Sequence, residues 1–370
     1  MKKANRTFFV ATSPGLQHVT AAELKSIGIE ATAETGGLSF PGRLPQLYLA
    51  CRELRTAARI SMRMEEFYVG GFPELKRKVA RIPWEDVLRP GTNVTMRVTA
   101  KKSRLYHSDA IAERVVTAIS GRLNRVIKLV KASDKAAINS QLIIIRMIHN
   151  TCTISVDAAG APLHQRGYRQ AVGKAPLREN LAAGLLLSAG WDGTQTLVDP
   201  FCGSGTIAIE AAMMALRQAP GSNRTFRYTN WPICKNHKNA SLPTPARDSK
   251  AEMPLIIASD RDTGAIENAR QNAKRAGVDA HIQFIEQPLS ELKLPDGGGW
   301  IVTNPPYGER LKPDKDLRDL YARLGQMMKP NWKMAFLCAN QELPPATRLK
   351  LEKGPVLDNG GLSTRIYIRR

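Results

Sequence analysis

The chain is poor in cysteine and contains no long apolar run. Its 370 residues include five cysteines, which lie far apart and form no CxxC pair. Such a set argues against a disulfide framework and against a structural zinc site, and we expect a reducing, cytoplasmic setting and no bound metal. No stretch approaches the roughly 18 apolar residues of a membrane helix. The apolar segment at residues 8–11 is too short for the apolar region of a signal peptide. From these two observations we expect that the protein has no membrane partner.

Acidic residues are also scarce relative to basic ones. The chain has 54 Lys and Arg against 33 Asp and Glu, a formal net charge of +21. Residues 1–170 hold 27 basic and 13 acidic side chains, a net charge of +14. An excess of positive charge concentrates polyanions near a protein surface and releases their counterions on contact. The composition therefore favours a nucleic-acid partner, and the alternative is a charge that serves solubility alone.

Two kinds of pattern meet near residue 160. Before it, residues 93–100 alternate like a half-buried strand, and residues 141–147 and 151–158 predict a hairpin around His149 and Asn150. After it, strands and helices alternate, which predicts a mostly parallel, doubly wound α/β sheet. Residues 160–175 are interpreted as the junction. Residues 218–253, rich in Pro, Asn, Ser and Lys, are interpreted as an insertion or long loop.

A glycine-rich turn follows the first predicted strand of the second half. The segment Asp199–Thr206 reads DPFCGSGT, with an acidic residue at the strand end. Glycine lets a backbone approach a ligand closely, and ligands of open α/β sheets bind at the carboxyl ends of strands. The spacing matches neither the GxGxxG of dinucleotide-binding proteins nor a P-loop, so neither NAD nor ATP is favoured.

Two later strands also end in polar residues. Asp260 follows residues 256–259 and could bind ribose hydroxyls, and a solvated turn or a helix N-cap is the alternative. Asp262 is the residue expected to be that cap. Residues 304–307 read Asn-Pro-Pro-Tyr. Because proline fixes φ and lacks an N–H, this segment presents acceptors, the Asn304 amide oxygen and the Pro305 carbonyl, in a rigid frame. Tyr307 offers a face for base stacking.

These motifs, in this order, resemble those of class I methyltransferases that modify amino groups, and more closely the THUMP-domain RNA methyltransferases. Within these, the chain is similar to the group of 23S rRNA guanine-N2 methyltransferases. The resemblance rests on DPFCGSGT, ASDRD and TNPPYGERL, on LHQRGYR and APLRENLAAGLL at residues 163–169 and 175–186, and on APGSNRTF at residues 219–226 with Asn230-Trp231. In the first half, KKSRLYHSDAI at residues 101–111 resembles the THUMP module.

The resemblance implies a Rossmann-like methyltransferase sheet preceded by an α+β ferredoxin-like and THUMP region. It implies three domains: residues 1–60 ferredoxin-like, 61–160 THUMP and RNA-binding, and 161–370 methyltransferase. S-adenosylmethionine is the implied cofactor, with a contact set of Asp199, Phe201, Cys202, Gly203, Gly205, Thr206, Asp260, Arg261 and Asn304. The family often places an acidic residue against the cofactor adenine; here the corresponding stretch is Glu286-Gln287-Pro288, and that contact stays open.

The resemblance also implies methyl transfer to a base amine held by Asn304, Pro305, Pro306 and Tyr307. Structured RNA, with guanine N2 of 23S rRNA first, is the expected substrate, and tRNA guanine N2 and adenine N6 of DNA or RNA are the alternatives. A non-catalytic RNA-binding ribosome-assembly factor is the alternative outside enzymes. The expected RNA contacts are Lys101, Lys102, Arg104, His107, Arg166 and Tyr168.

Overall fold

The computed structural model describes residues 5–170, 177–235, 252–308 and 315–370. The first half contains seven strands and four helices. In chain order these are β1 (Arg6–Thr12), α1 (Gln17–Ser26), β2 (Thr32–Glu34), β3 (Gly37–Gly42), α2 (Leu44–Glu53), β4 (Ala57–Tyr68), α3 (Phe72–Val79), β5 (Val94–Lys101), α4 (Ser108–Leu123), β6 (Gln141–Ile148) and β7 (Thr151–Asp157).

The strands of the first half form one sheet, in the order β2-β3-β1-β4-β7-β6-β5. Strand β4 is shared, because it pairs antiparallel with β1 on one side and with β7 on the other. The division into domains at residue 60 therefore falls within a continuous strand, and it stays a prediction. The predicted hairpin is confirmed: β6 and β7 pair antiparallel, and His149 and Asn150 both have positive φ, as a two-residue hairpin loop requires.

The second half contains a second seven-stranded sheet. Its elements are α5 (Glu179–Ala189), β8 (Leu197–Asp199), α6 (Thr206–Ala215), β9 (Ile256–Asp260), α7 (Thr263–Ala276), β10 (Gln283–Glu286), β11 (Gly299–Thr303), α8 (Lys315–Gln326), β12 (Trp332–Cys338), β13 (Glu352–Asn359) and β14 (Leu362–Arg369). The order is β10-β9-β8-β11-β12-β14-β13, parallel from β10 to β12. The strand order reverses at β8 and β11, which places a ligand crevice there. The predicted doubly wound architecture is confirmed.

The two halves exchange parts of their cores. Phe226, Tyr228 and Trp231, which follow helix α6 of the second half, pack in the hydrophobic core of the first half. Conversely, Leu16 and Val19 from the start of the chain pack in the core of the second half. The described part of the predicted insertion, residues 218–235, is thus an interface segment. Residues 236–251 lie outside the described residues.

Candidate active site

Three of the predicted ligand-binding residues meet at one edge of the second sheet. Asp199 and Asp260 end the neighbouring parallel strands β8 and β9, and Asn304 follows β11 on the other side of β8. The Thr303 hydroxyl donates a 2.6 Å hydrogen bond to Oδ1 of Asp199. Because Thr303 directly precedes Asn304, this bond ties the glycine-rich turn to the Asn-Pro-Pro-Tyr segment.

Asp199 is a buried carboxylic acid. Its side chain is almost fully removed from solvent, and its Oδ1 also accepts a 3.3 Å bond from the Phe201 backbone N–H. Burial raises the pKa of Asp199 to about 7, and the nearby charge of Asp260 adds to the rise, while the two hydrogen bonds oppose it. The carboxyl group therefore titrates near neutral pH in the free protein, and a cation placed beside it would favour the ionised form.

Asp260 holds the glycine-rich turn in place. Its Oδ2 accepts a 3.0 Å bond from the Gly203 N–H, and its Oδ1 accepts one of 3.1 Å from the Asp262 N–H. Asp262 caps helix α7 through a 2.7 Å bond from the Ala265 N–H, which confirms the capping role expected of it. Asp260 is only half-buried, so it can hold the turn and still face a ligand.

Two glycines shape the turn in different ways. Gly205 has φ +81°, and a Cβ there would lie 2.9 Å from Cβ of Ala269, so the turn packs tightly against helix α7. Gly203 has φ +51°, and a Cβ there would meet no described atom within 4 Å. The turn therefore has one packed face and one open face, and the open face lets a ligand approach its backbone.

Asn304 carries an unusual buried acceptor. Its Oδ1 is buried and has no hydrogen-bond partner among the described residues. Leaving a buried polar atom unpaired costs about 1–3 kcal/mol, so such an atom at a crevice indicates a missing partner. Pro305 is buried and Pro306 is exposed, while the Tyr307 ring packs against the apolar cluster around Tyr321. The segment is thus anchored, with one free acceptor.

The other predicted cofactor residues have differing environments. Phe201 is half-buried against the same apolar cluster, and Cys202 is buried with its N–H donating to Ser259 O. The Thr206 hydroxyl accepts a 2.8 Å bond from Arg169 and thereby joins the junction to the turn. Arg261 is exposed. The proposed cofactor contacts at these positions remain predictions.

Two residues near this edge make contacts that sequence patterns do not assign. Thr303, which bonds Asp199, reads in the sequence only as the last residue of a strand. Glu286 lies opposite Asp260 in the register of β10 and β9, and it accepts a 2.7 Å bond from the Thr263 hydroxyl. The pairing of β10 with β9 places Glu286 opposite Asp260, and the sequence alone does not give that pairing. Glu286 is exposed and is the acidic group of this stretch nearest to Asp260 in register.

The predicted RNA contacts divide into two groups. Lys101 at the end of β5 and Lys102, Arg104 and His107 in the loop that follows are all exposed, as an RNA contact requires. Arg166 and Tyr168 are about 3% exposed, which contradicts the prediction that they contact RNA. Both side chains instead reach the buried Glu210, at 3.5 Å and 3.2 Å. Burial pairs these groups inside the protein and keeps them from a ligand.

The arrangement fits S-adenosylmethionine on chemical grounds. The cofactor carries a sulfonium cation, and two carboxylates, Asp199 and Asp260, lie at this edge. It also carries ribose hydroxyls, which a strand-end carboxylate such as Asp260 can accept. The open face above Gly203 gives room for close backbone contact. The buried acceptor of Asn304 can accept a hydrogen bond from a donor on a bound molecule.

No described helix is long and apolar enough to cross a membrane. Within the same residues, no group of three or more His, Cys, Asp or Glu side chains could hold a metal ion.

Comparisons with known proteins agree with this geometry. Residues 7–61 match the RlmL ferredoxin-like domain. The ribosomal RNA large subunit methyltransferase K/L of Syntrophotalea carbinolica is 36% identical over 97% of this chain, although the chain spans only 53% of that relative. YpsC of Bacillus subtilis, described as a candidate RNA methyltransferase, is 34% identical over 97% of this chain and 94% of its own length. The chain thus spans about half the length of the curated K/L relatives it matches.

Solved structures give the same result. The crystal structure of SMU.472, a candidate methyltransferase complexed with SAH, superposes with a TM-score of 0.86 at 28% identity, covering 100% of this chain and 99% of that one. Residues 166–353 match the methyltransferase domain described as UPF0020, RMKL-like. These matches confirm the predicted fold, the methyltransferase class and S-adenosylmethionine as the cofactor of the class. The chain therefore belongs to the UPF0020, RMKL-like family of methyltransferases.

Proposed function

We propose that this chain transfers a methyl group to the exocyclic amine of a base in structured RNA, with guanine N2 of 23S rRNA as the first candidate. The observation that carries the proposal is the buried, unpartnered Oδ1 of Asn304 at the sheet edge where Asp199 and Asp260 also lie. A base amine is a donor that fits this acceptor. The names of the relatives, rRNA and RNA methyltransferases, support RNA as the substrate.

The residues of the chain explain how a poor nucleophile could react. The lone pair of a base amine is delocalised into the ring. Acceptance of its two N–H groups by Asn304 Oδ1 and by the Pro305 carbonyl favours a more tetrahedral nitrogen and fixes its direction. Tyr307, held against the apolar cluster, offers its ring to the base. When bound, S-adenosylmethionine supplies an electrophilic methyl group.

No strong general base is needed at Asn304, since the amine becomes acidic once it is methylated. The target base must leave its stack to reach a buried acceptor, as enzymes that act on bases generally require. Affinity for RNA would come from the first half, whose net charge is +14, through phosphate contacts from the exposed loop at Lys101–His107. Residues 61–160 are accordingly proposed as the RNA-binding domain.

The substrate is identified by nucleoside mass spectrometry after incubation with cofactor and rRNA, tRNA or DNA. N2-methylguanosine in 23S rRNA is the expected product. The same product in tRNA alone would move the substrate to tRNA, and N6-methyladenine in DNA would replace the proposal, because the acceptor pair of Asn304 and Pro305 also suits the adenine amine. If none of these nucleic acids is methylated and calorimetry detects no binding of S-adenosylmethionine, the alternative of a non-catalytic RNA-binding ribosome-assembly factor is supported.

A further inference from the structure

One face of the N-terminal sheet is open. Helices pack on the opposite face, where the buried apolar residues lie. The open face forms a groove of about 760 Å³ along the central strands β1, β4, β7 and β6. Its walls carry hydroxyl groups and arginines, and none of the site residues discussed above lines it. The groove is thus a second concave surface, separate from the Asn304 crevice.

The groove has an excess of positive charge. Five arginines line it, against two glutamates, Glu34 and Glu66. Two of the arginines are neutralised: Arg59 lies 2.9 Å from Asp157, and Arg63 lies 2.9 Å from Glu34. The other three, Arg97, Arg146 and Arg178, take part in none of the ion pairs that the described residues form. A concave surface that carries arginines without an acidic partner attracts an anion.

The end of the groove near the second half also carries positive charge. His164, Arg178 and Asn180 line it. The His164 pKa is lowered to about 4, first because burial disfavours the charged ring and then because four arginines surround it. Arg224, one of these four, bonds only carbonyl oxygens among the described residues. Asn180 is 1% exposed, and its Oδ1 has no described partner, so a buried acceptor stands at this end.

The groove connects two regions already described. At one end its lining residue Ile148 pairs with Lys101, the last residue of β5, which leads into the loop at residues 102–107. At the other end lies Arg178, which follows Leu177 in the chain. The Leu177 carbonyl accepts a 2.6 Å bond from Nη2 of Arg169, and the same nitrogen donates to the hydroxyl of Thr206 in the glycine-rich turn. The groove therefore runs from the basic loop to the vicinity of the catalytic edge.

The chemistry of the walls fits a single strand of RNA. The Phe9 ring and the Arg146 guanidinium, 6.0 Å apart, offer flat surfaces of the kind on which unpaired bases stack. Ser61, Thr153 and Ser155 line the floor and can bond ribose or base atoms. A groove of about 760 Å³ has room for the bases and riboses of unpaired nucleotides. Sheet faces serve this purpose in known RNA-binding modules.

We propose that the open face of the N-terminal sheet binds a single-stranded segment of the RNA substrate and guides it from the Lys101–His107 loop toward the catalytic edge. This inference rests on the proposed function, because it names the part of the RNA that the first half holds. Arg97, Arg146 and Arg178 contact phosphates, and the hydroxyl-lined floor receives ribose and bases.

The test is a binding measurement that needs no turnover. Fluorescence anisotropy with a labelled, unstructured oligoribonucleotide is recorded over a salt series for the intact protein and for the Arg97→Gln/Arg146→Gln variant. Removing two charges that neutralise phosphates should weaken binding and lower the slope of log affinity against log salt by about 1.4. The Arg97→Lys/Arg146→Lys variant, which keeps the charges, should retain the slope. Arg77→Gln/Arg114→Gln, on exposed positions of α3 and α4, is the matched control and should bind as the wild type does.

An unchanged slope in the Gln variant, or an equal fall in the control, would overturn the proposal. So would equal competition by a duplex of the same length, because the proposal requires unpaired bases that reach the face of the sheet. A 4-thiouridine oligonucleotide gives a positional check: crosslinks should map to β4, β6 and β7, and crosslinks confined to α3 and α4 would contradict the assignment. These outcomes do not depend on methylation, so failure of the groove is distinguishable from failure of the proposed reaction.

Discussion

Single buried polar groups carry most of the chemistry of this site. Asn304 keeps an acceptor without a described partner, and Asp199 keeps a carboxyl group in a buried position. Either feature lowers stability when nothing binds: an unpaired buried acceptor costs about 1–3 kcal/mol, and ionising a buried carboxyl costs more as burial increases. Groups that are costly in the free protein are expected where a ligand later offsets the cost.

Asp199 should make the stability of the free protein depend on pH. Its folded pKa of about 7 lies above the ordinary value of 3.8, so the folded state binds the proton more tightly than the unfolded state does. Its contribution to stability is therefore present below about pH 4 and is lost as the pH rises to about 7. Relative to wild type, Asp199→Asn should gain stability across this range, by up to about 1.4 kcal/mol per pH unit.

Urea unfolding of both proteins at several pH values measures this difference. Asp192→Asn, at a carboxylate whose pKa is lowered by the Thr194 hydrogen bonds, is a control and should not show this gain. A stability difference between wild type and Asp199→Asn that stays constant between pH 4 and 7 would contradict the raised pKa.

For single residues, the sequence predicts well which ones end a strand, but it predicts poorly which side chains are buried. Asp199, Asp260 and Asn304 are predictable because a motif at the end of a strand fixes its place at one edge of a parallel sheet. The prediction that Arg166 and Tyr168 contact RNA is wrong, although basic and aromatic residues in a glycine-rich segment are usually exposed. Their burial depends on Glu210, a partner 44 and 42 residues away in the chain, which no local pattern reveals.

Among the elements, the glycine-rich turn depends on its contact with helix α7. Gly205→Ala should add steric overlap with Ala269 to the strain of a positive φ. Gly190→Ala is the matched control, because Gly190 has φ +87° and a Cβ there would meet no described atom within 4 Å. We expect Gly205→Ala to cost about 1–3 kcal/mol more than the control in chemical unfolding and to weaken calorimetric binding of S-adenosylmethionine. Equal losses in both variants would mean that the overlap is unimportant.

The loop after β5 should supply phosphate contacts. Lys102 has φ +48°, so Lys102→Asn removes its charge while keeping a residue that tolerates this conformation. Combined with Lys101→Gln, it should weaken RNA binding and lower the salt slope by about 0.7 for each single-strand phosphate that is no longer neutralised. Lys25→Gln/Lys76→Gln, at exposed helical positions, is the control. An unaltered slope in the loop variant would place the RNA elsewhere.

The elements themselves are predictable where periodicity is strong. Helix α7 spans Thr263–Ala276, where Asp262 caps its start and Gly277 ends it, and both are residue types that commonly mark helix ends. Strand β13 is not evident in the sequence, since Gly354 and Pro355 interrupt its pattern. Its place at the edge of the sheet is one where proline is tolerated. Strand β4 is equally hard to predict, because a bulge between Arg63 and Glu65 breaks its alternation.

For the whole molecule, the exchange of core segments predicts one cooperative unit. Trp231 follows α6 in the chain, but it is buried in the first half, where its Nε1 donates a 2.8 Å bond to Gln141. In return, the Arg55 side chain donates a 2.7 Å bond to the Gln218 carbonyl. Opening either half would therefore expose apolar surface of the other. The sequence could not show this, since residues 218–253 have the composition of a loop.

Trp231→Phe tests this coupling. The variant keeps an aromatic ring but leaves the buried Gln141 oxygen without its donor, which should cost about 1–3 kcal/mol. Far-UV circular dichroism and tryptophan fluorescence should still report one coincident unfolding transition, shifted to lower denaturant. Two separate transitions, in the wild type or the variant, would show that the halves fold independently.

The most direct test of the account is the rate of tritiated methyl transfer to 23S rRNA by wild type, Asn304→Ala and Asn304→Asp, with cofactor affinity measured by calorimetry. If Oδ1 of Asn304 holds the target amine, Asn304→Ala should lose about 10²–10³-fold in turnover at near-normal cofactor affinity, and Asn304→Asp, which keeps an acceptor, should retain more activity. Wild-type turnover by Asn304→Ala would contradict the central claim.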